Sequence, residues 1–99
     1  MLQIEKTQEN EKLTMKLTGR VDTTTAPELE AAVSGMDSKV KDLQLDMTGV
    51  EYISSAGLRV LLAAQKKMQK IGTMKLTGVC DSVMEVFEMT GFADILVIE

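Results

Sequence analysis

Two adjacent serines, Ser54 and Ser55, stand where a polar stretch meets an apolar helical pattern. Ala56 and Gly57 follow them and lead into a predicted helix that ends near Ile71. The first amides of a helix have no intrahelical partner, and the helix dipole adds about half a positive charge at that end. A phosphate on one of these hydroxyls would be stabilised there, and Gly57 would let the backbone come close to it.

The same serines also have an ordinary structural use. Serine is among the most favourable N-cap residues, so Ser54 or Ser55 would serve equally well by accepting a hydrogen bond from an orphan amide. Arg59 lies four residues after Ser55, one helical turn away, and could reach a phosphate on it. A solvated position for Arg59 is the simpler interpretation. Spacing alone leaves these alternatives open.

The elements that must position the serines begin with strands. Leu2 and Ile4 alternate with polar residues, and the alternation returns from Leu13 to Leu17, which predicts an antiparallel hairpin around the polar segment Thr7 to Glu11. A third strand is predicted from the alternation of Leu43, Leu45 and Met47. A connection of Thr48 to Ser54 then leads into the helix of about Gly57 to Ile71.

Three helices alternate with these strands. Thr25 and Glu28 match a capping box at the start of the first helix, which tolerates Pro27 in its first turn and ends between Ser34 and Gly35. The second helix has an apolar stripe of Leu58, Leu61, Leu62 and Met68 and stops at Gly72. The third is capped by Asp81 or Ser82 and closes at Thr90 and Gly91. Strands are predicted before it, at Met74, Leu76 and Val79, and after it, from Ile95 to Ile98.

This order of elements predicts an α/β fold with a mixed, mostly parallel sheet of four to five strands and about three helices packed on it. The 99 residues are expected to form one domain, 1–99. In such sheets, functional groups gather in loops at the carboxyl ends of strands. Because Thr48 to Gly57 is the longest such connection, the sequence places the site there.

Composition argues against several classes of function. The formal net charge is −4, and the basic cluster of Lys66, Lys67 and Lys70 also suits the last turns of a helix, so no direct nucleic-acid partner is expected. The sequence has no His and a single Cys, Cys80, which removes the usual acid–base, thiol and zinc chemistry. We therefore expect no enzyme and no cofactor.

The start of the chain and its apolar runs bear on its compartment. Its first six residues lack the basic start and apolar stretch of a signal peptide. The longest apolar run, Val60 to Ala64, is far too short for a membrane span, so no membrane insertion is expected. One unpaired cysteine suits a reducing environment. These features predict a cytoplasmic protein.

The segment from Val50 to Leu62, VEYISSAGLRVLL, closely resembles the signature of bacterial anti-sigma factor antagonists and other STAS domains, in which an aromatic residue, Ile or Met, Asp or Ser, Ser, and Ser, Thr or Ala precede Gly and Leu. Two flanking segments agree with it. Gly19 to Asp22 resembles the family's Gly-Glu-Leu-Asp turn, and Val86 to Phe92 resembles its Leu-Phe-x-Met-Ser-Gly-Leu ending. The resemblance covers the whole chain and implies a STAS-like fold.

The resemblance also assigns roles to residues. It implies that Ser55, two residues before the glycine of the motif, is the phosphorylated serine. It implies that Asp22 lies near the phosphorylation loop, although a turn or capping role suits an Asp there as well. Ser54 stands where the best-known sporulation and stress-response members have Asp, and Ala56 where they have Ser or Thr. The expected partner-binding residues are Asp22, Ser54, Ser55, Ala56, Gly57 and Arg59.

By the same resemblance, the unphosphorylated chain binds an anti-sigma factor that is an ATP-dependent serine kinase, and thereby releases a sigma factor. Phosphorylation of Ser55 by that kinase breaks the complex, and a PP2C-type phosphatase resets it. The alternative is a non-switching STAS scaffold or accessory subunit, of a stress-signalling or lipid-transport complex, in which Ser55 is only a cap.

Overall fold

The computed structural model describes residues 2–99, which form four β-strands, three α-helices and one short 3₁₀ helix. In chain order the elements are β1 (Leu2–Glu9), β2 (Lys12–Val21), α1 (Ala26–Ser34), β3 (Asp42–Ile53), α2 (Ser55–Ile71), β4 (Thr73–Thr77), α3 (Asp81–Thr90) and the 3₁₀ helix (Phe92–Asp94).

The strands form one sheet in the order β1-β2-β3-β4. The β1–β2 pair is antiparallel, whereas β2–β3 and β3–β4 are parallel, which confirms the predicted mixed, mostly parallel α/β fold. The predicted polar segment between the first two strands is too long, since Thr7 to Glu9 pair with β2 and only Asn10 and Glu11 form the turn. Their lack of apolar alternation follows from β1 being an edge strand that is exposed on both faces towards its end.

The third strand is much longer than its apolar alternation indicates. The predicted connection from Thr48 to Ser54 is wrong, because β3 continues to Ile53 and Ser54 alone separates it from α2. Two register shifts against β2 each insert one extra residue into β3. After Met47, buried positions therefore recur every three residues, at Val50 and Ile53, instead of every two. Because of the bulges, the second half of β3 lacks the alternation of apolar and polar residues by which a strand is predicted.

One face of the sheet and the inner faces of the helices enclose the core. Helix α2 contacts β3, β4 and α1, and α3 contacts β3. Fully buried side chains come from the strands and from all three α-helices; examples are Met15, Leu17, Leu29, Leu43, Leu45, Leu61, Met68, Leu76 and Phe87. The opposite face of the sheet carries polar residues, with Glu5 beside Lys16 and Lys16 beside Asp46. Because the helices cover only one face of the sheet, α2 starts on that side of the strand ends.

The starts of α1 and α3 differ from the sequence prediction. Thr25 precedes α1 but its side chain caps no amide of the helix; its hydroxyl instead donates to the Arg20 carbonyl at 2.7 Å and accepts from the Asp22 amide at 2.8 Å. The capping box is therefore wrong. Cys80, and neither Asp81 nor Ser82, occupies the N-cap position of α3.

The end of the chain pairs with the sheet at a single point. The predicted strand from Ile95 to Ile98 is wrong, since Leu76 and Ile98 form an isolated parallel bridge. The Leu76 amide donates to the Val97 carbonyl at 2.8 Å, and the Glu99 amide donates to the Leu76 carbonyl at 2.8 Å. Gly91, with φ of 81°, ends α3 in the left-handed conformation as predicted.

Candidate functional site

The carboxyl ends of β2 and β3 meet at one edge of the sheet, where the chain turns into α1 and α2. Val21 and Ile53 are partners in the parallel register, and the Ser54 amide donates to the Val21 carbonyl at 2.8 Å. Asp22 begins the turn into α1, and Ser55 is the first residue of α2. The fold thus places Asp22 and the two serines together, although no loop of the predicted length exists there.

Ser54 and Ser55 have different structural roles. Ser54 is the N-cap of α2, with extended backbone, and its hydroxyl accepts a hydrogen bond from the Gly57 amide at 3.3 Å. Ser55 is exposed, and its hydroxyl has no hydrogen-bond partner among residues 2–99. The capping role that the sequence left open between them therefore belongs to Ser54. The Ser55 hydroxyl is free for chemistry.

Gly57 is required by packing in the first turn of α2. A Cβ atom at this position would lie 2.6 Å from Val21 Cγ1 and 2.8 Å from Ile53 Cγ1, distances at which real carbon atoms do not pack. The absent side chain lets the helix start against the two strand ends, and Gly57 is itself buried. Its value to the site is therefore the close placement of Ser55, and it has almost no surface to offer a partner.

Asp22 organises the turn between β2 and α1. Its Oδ1 atom accepts hydrogen bonds from the Thr24 hydroxyl at 2.7 Å, the Thr24 amide at 3.0 Å and the Thr25 amide at 3.1 Å. The Thr24 hydroxyl contributes most to lowering the pKa of this carboxyl from 3.8 to about 2, because these donors favour the ionised form. The turn role considered from the sequence is the one observed.

A pH dependence of stability follows from Asp22. Since its pKa is lower in the folded chain, its contribution is present above pH 3.8 and is lost as the pH falls towards about 2. Asp22→Asn keeps the Oδ1 acceptor without the charge. We therefore expect its free energy of unfolding to fall less than that of the wild type as the pH is lowered through this range. Thermal unfolding at about pH 5 and about pH 2.5 measures the two losses. Equal losses would show that the Asp22 charge does not stabilise the turn.

The remaining predicted residues lie on α2, beside a groove between α1 and α2. Ala56 is half-buried and Arg59 is exposed, and both line a groove of about 420 Å³ whose other wall includes Pro27 and Glu30. Arg59 follows Ser55 by one helical turn, so the two side chains are neighbours on the helix surface. Ser55 itself does not line the groove, but it directly precedes Ala56, which does.

Comparison with known proteins places this geometry in a family. Residues 4–98 match the family model described as "Mlab, STAS domain". The anti-sigma-B factor antagonist of Listeria monocytogenes is 35% identical over 85 residues, which cover 82% of this chain and 73% of that protein. That of Staphylococcus aureus is 30% identical over 97 residues, which cover 96% of this chain and 90% of that protein. The chain belongs to the STAS family of anti-sigma factor antagonists.

Solved STAS structures have the same architecture. The anti-sigma factor antagonist SpoIIAA in its unphosphorylated form superposes with a TM-score of 0.82 at 18% identity, over 100% of this chain and 88% of that chain. The phosphorylated form of SpoIIAA, from Bacillus, gives a TM-score of 0.75 at 17% identity, over 100% and 91% of the two chains. At these identities the likeness concerns the fold.

Among the helices that the structure describes, none has the length and apolar composition needed to cross a bilayer.

Two residues of this STAS domain were not selected from the sequence, although both lie in its motifs. Arg20 and Tyr52 are register partners near the carboxyl ends of β2 and β3. The Arg20 guanidinium carbon lies 4.4 Å from the centre of the Tyr52 ring. Each residue is exposed and unremarkable in its own segment. Only the β2–β3 register, which the bulges shift, reveals that they are a pair.

Proposed function

We propose that the chain is a phosphorylation-switched anti-sigma factor antagonist: it binds an anti-sigma factor that is also a serine kinase, releases a sigma factor, and is switched off by phosphate on Ser55. The observation that carries the proposal is the division of labour at α2. Ser54 caps the helix, which leaves the Ser55 hydroxyl exposed and without a hydrogen-bond partner in the described chain. A hydroxyl in that state is available to a kinase at no cost to the fold.

The chain supplies only the phosphoryl acceptor in this reaction. The Ser55 oxygen attacks the γ-phosphate of ATP bound to the kinase, ADP leaves, and the serine proton passes to a base of the kinase. The product has about −1.5 to −2 added charges on an exposed helix start. A surface of the kinase fitted to a neutral hydroxyl would then meet an anion, so the complex dissociates. A PP2C-type phosphatase would restore the hydroxyl.

The activity for which the related proteins are named supports this proposal. The Listeria and Staphylococcus proteins are anti-sigma-B factor antagonists, and SpoIIAA has been solved in phosphorylated and unphosphorylated forms. Residues 1–99 would act as one STAS domain, with Asp22 holding the turn beside Ser55. Ala56 and Arg59 line the adjoining groove and would contact the kinase.

A kinase assay tests the proposal. The wild type, Ser55→Ala and Ser54→Ala would each be incubated with ATP and the purified anti-sigma serine kinase from the same organism. Mass spectrometry would then locate the phosphate. We expect one phosphate on Ser55 in the wild type and in Ser54→Ala, and none in Ser55→Ala. Ser54→Ala is the matched control, since it removes the neighbouring hydroxyl at a cost of about 1 kcal/mol of stability. Phosphate that persists in Ser55→Ala would remove Ser55 from the role.

A second candidate is the non-switching scaffold or accessory subunit. It is favoured by the description of the matching family model, which names Mlab and no anti-sigma factor antagonist. Under this alternative Ser55 is never phosphorylated and tolerates a negative charge. Binding of the same partner by the wild type and by Ser55→Asp, with equal affinity, would support the scaffold over the switch.

A further inference from the structure

Arg20 and Tyr52 form an exposed pair on the open face of the sheet, at its carboxyl edge. They are partners in the β2–β3 register, and the guanidinium carbon lies 4.4 Å from the centre of the ring. The Arg20 side chain is 60% exposed, and Tyr52 is 42% exposed. A guanidinium over an aromatic face is attracted by the ring quadrupole, which limits the freedom of the long arginine side chain. The cation is therefore both accessible and oriented.

The guanidinium of Arg20 donates no hydrogen bond within residues 2–99. Its Nε atom lies 3.8 Å from Asp22 Oδ2, which is an ionic contact but too long for a hydrogen bond. The other oxygen of Asp22 already accepts from Thr24 and Thr25. A guanidinium has five N–H donors in a planar fork, a shape that matches a carboxylate in a bidentate contact. The guanidinium thus has an acidic neighbour in Asp22 but no hydrogen-bond acceptor within residues 2–99.

The pair is continuous with the phosphorylation site. Tyr52 precedes Ser55 by three residues, and the two strands are joined just beyond the pair by the bond from the Ser54 amide to the Val21 carbonyl. A protein that engages Ser55 and extends around this edge onto the open face of the sheet would meet Arg20. Arginine and tyrosine are among the residue types enriched at the energetic centres of protein interfaces, together with tryptophan.

We propose that Arg20, held on the Tyr52 ring, is a specificity-determining contact that receives an Asp or Glu carboxylate of the anti-sigma factor. The inference rests on the proposed function, since it names a contact of the same complex. The phosphate backbone of a nucleic acid is a poor ligand for Arg20. The chain has a net charge of −4, and Asp22 and Glu51 are close to the pair in sequence. A single carboxylate within a fitted protein surface satisfies the fork while bringing one negative charge beside Asp22, where a phosphate polymer brings many.

Affinity measurements on three variants test this contact. Arg20→Glu reverses the charge, Arg20→Lys keeps the charge without the fork, and Lys39→Glu repeats the charge change of Arg20→Glu in an exposed loop before β3, at the opposite edge. Kd for the host anti-sigma serine kinase would be measured by calorimetry. We expect Arg20→Glu to weaken binding at least tenfold, Arg20→Lys to weaken it severalfold, and Lys39→Glu to bind like the wild type. An Asp→Arg or Glu→Arg variant of the kinase that restores binding to Arg20→Glu would identify the carboxylate.

The outcomes separate this contact from the function on which it rests. If the wild type binds the kinase and is phosphorylated on Ser55, wild-type affinity in either Arg20 variant overturns the carboxylate contact alone. A lower Tm of Arg20→Glu with unchanged Kd also overturns it, by showing that the pair serves only the sheet. Failure of the wild type to bind overturns the proposed function, and the contact with it.

Discussion

Replacing Ser55 by Asp is expected to weaken binding of the anti-sigma factor about tenfold, which corresponds to about 1.4 kcal/mol. The substitution places a negative charge on an exposed residue at the start of α2, where the partner is expected to meet a neutral hydroxyl. One charge is less than the −1.5 to −2 of a phosphate, for which we expect about 2 kcal/mol, or roughly thirtyfold.

The loss cannot be attributed to unfolding, because the position suits an acid. Negative side chains in the first turn interact favourably with the helix dipole, by about 0.3 to 1 kcal/mol, so Ser55→Asp should be at least as stable as the wild type. Ser55→Asn is the matched control, because Asn has nearly the same shape as Asp but no charge. It should bind within about twofold of the wild type. Calorimetric titration of the kinase with the three proteins provides the comparison. Equal weakening by Asn and Asp would show that size, and not charge, governs the contact.

Replacing Gly57 by Ala is expected to lower the free energy of unfolding by about 1 to 2 kcal/mol. Alanine favours the helix by about 0.5 to 1 kcal/mol over glycine, so the substitution would stabilise an isolated helix. Here the new Cβ would lie 2.6 Å from Val21 Cγ1 and 2.8 Å from Ile53 Cγ1, and both side chains are buried. Either they leave their rotamers or α2 moves outward, carrying Ser55 with it.

A double-mutant cycle with Val21→Ala isolates that clash. Removal of the Val21 methyl groups takes away the nearer of the two clashing atoms, so Gly57→Ala should cost less in the Val21→Ala background. Urea unfolding of the four proteins gives the coupling energy, and the rate of Ser55 phosphorylation reports the position of the helix start. A Gly57→Ala protein as stable as the wild type would contradict the close packing of α2 on the strand ends.

The sequence predicts the order of elements well because most of them have one buried face. Leu13 to Leu17 alternate cleanly, and the stripe containing Leu61 and Met68 marks the buried side of α2. These patterns report burial against a single layer, and burial is what the fold provides. The mixed sheet and the three helices follow from them.

The carboxyl half of β3 shows where such patterns fail. The bulges insert residues without a compositional signal, so Val50 and Ile53 are buried at a spacing that indicates neither strand nor helix. The predicted loop from Thr48 disappears for this reason. The final segment fails differently: Leu96 and Ile98 have a strand-like pattern, but only Ile98 finds a bridge partner.

The surroundings of the candidate serines were predicted only in part. The sequence identified the Ser54–Ser55 step through its motif and placed it on a long loop, whereas the structure has a single residue between strand and helix. Which serine caps the helix depends on the extended backbone of Ser54 and on one hydrogen bond to Gly57, and neither is encoded in spacing. The Arg20–Tyr52 pair depends on register across two strands, which no local pattern contains.

The most direct test of the account compares one protein preparation before and after phosphorylation. The wild type would be phosphorylated to completion, the phosphate located on Ser55 by mass spectrometry, and Kd for the anti-sigma factor measured for both forms under the same salt. We expect the unphosphorylated form to bind and the phosphorylated form to bind roughly thirtyfold more weakly, from a loss of about 2 kcal/mol. Equal affinity of the two forms would contradict it.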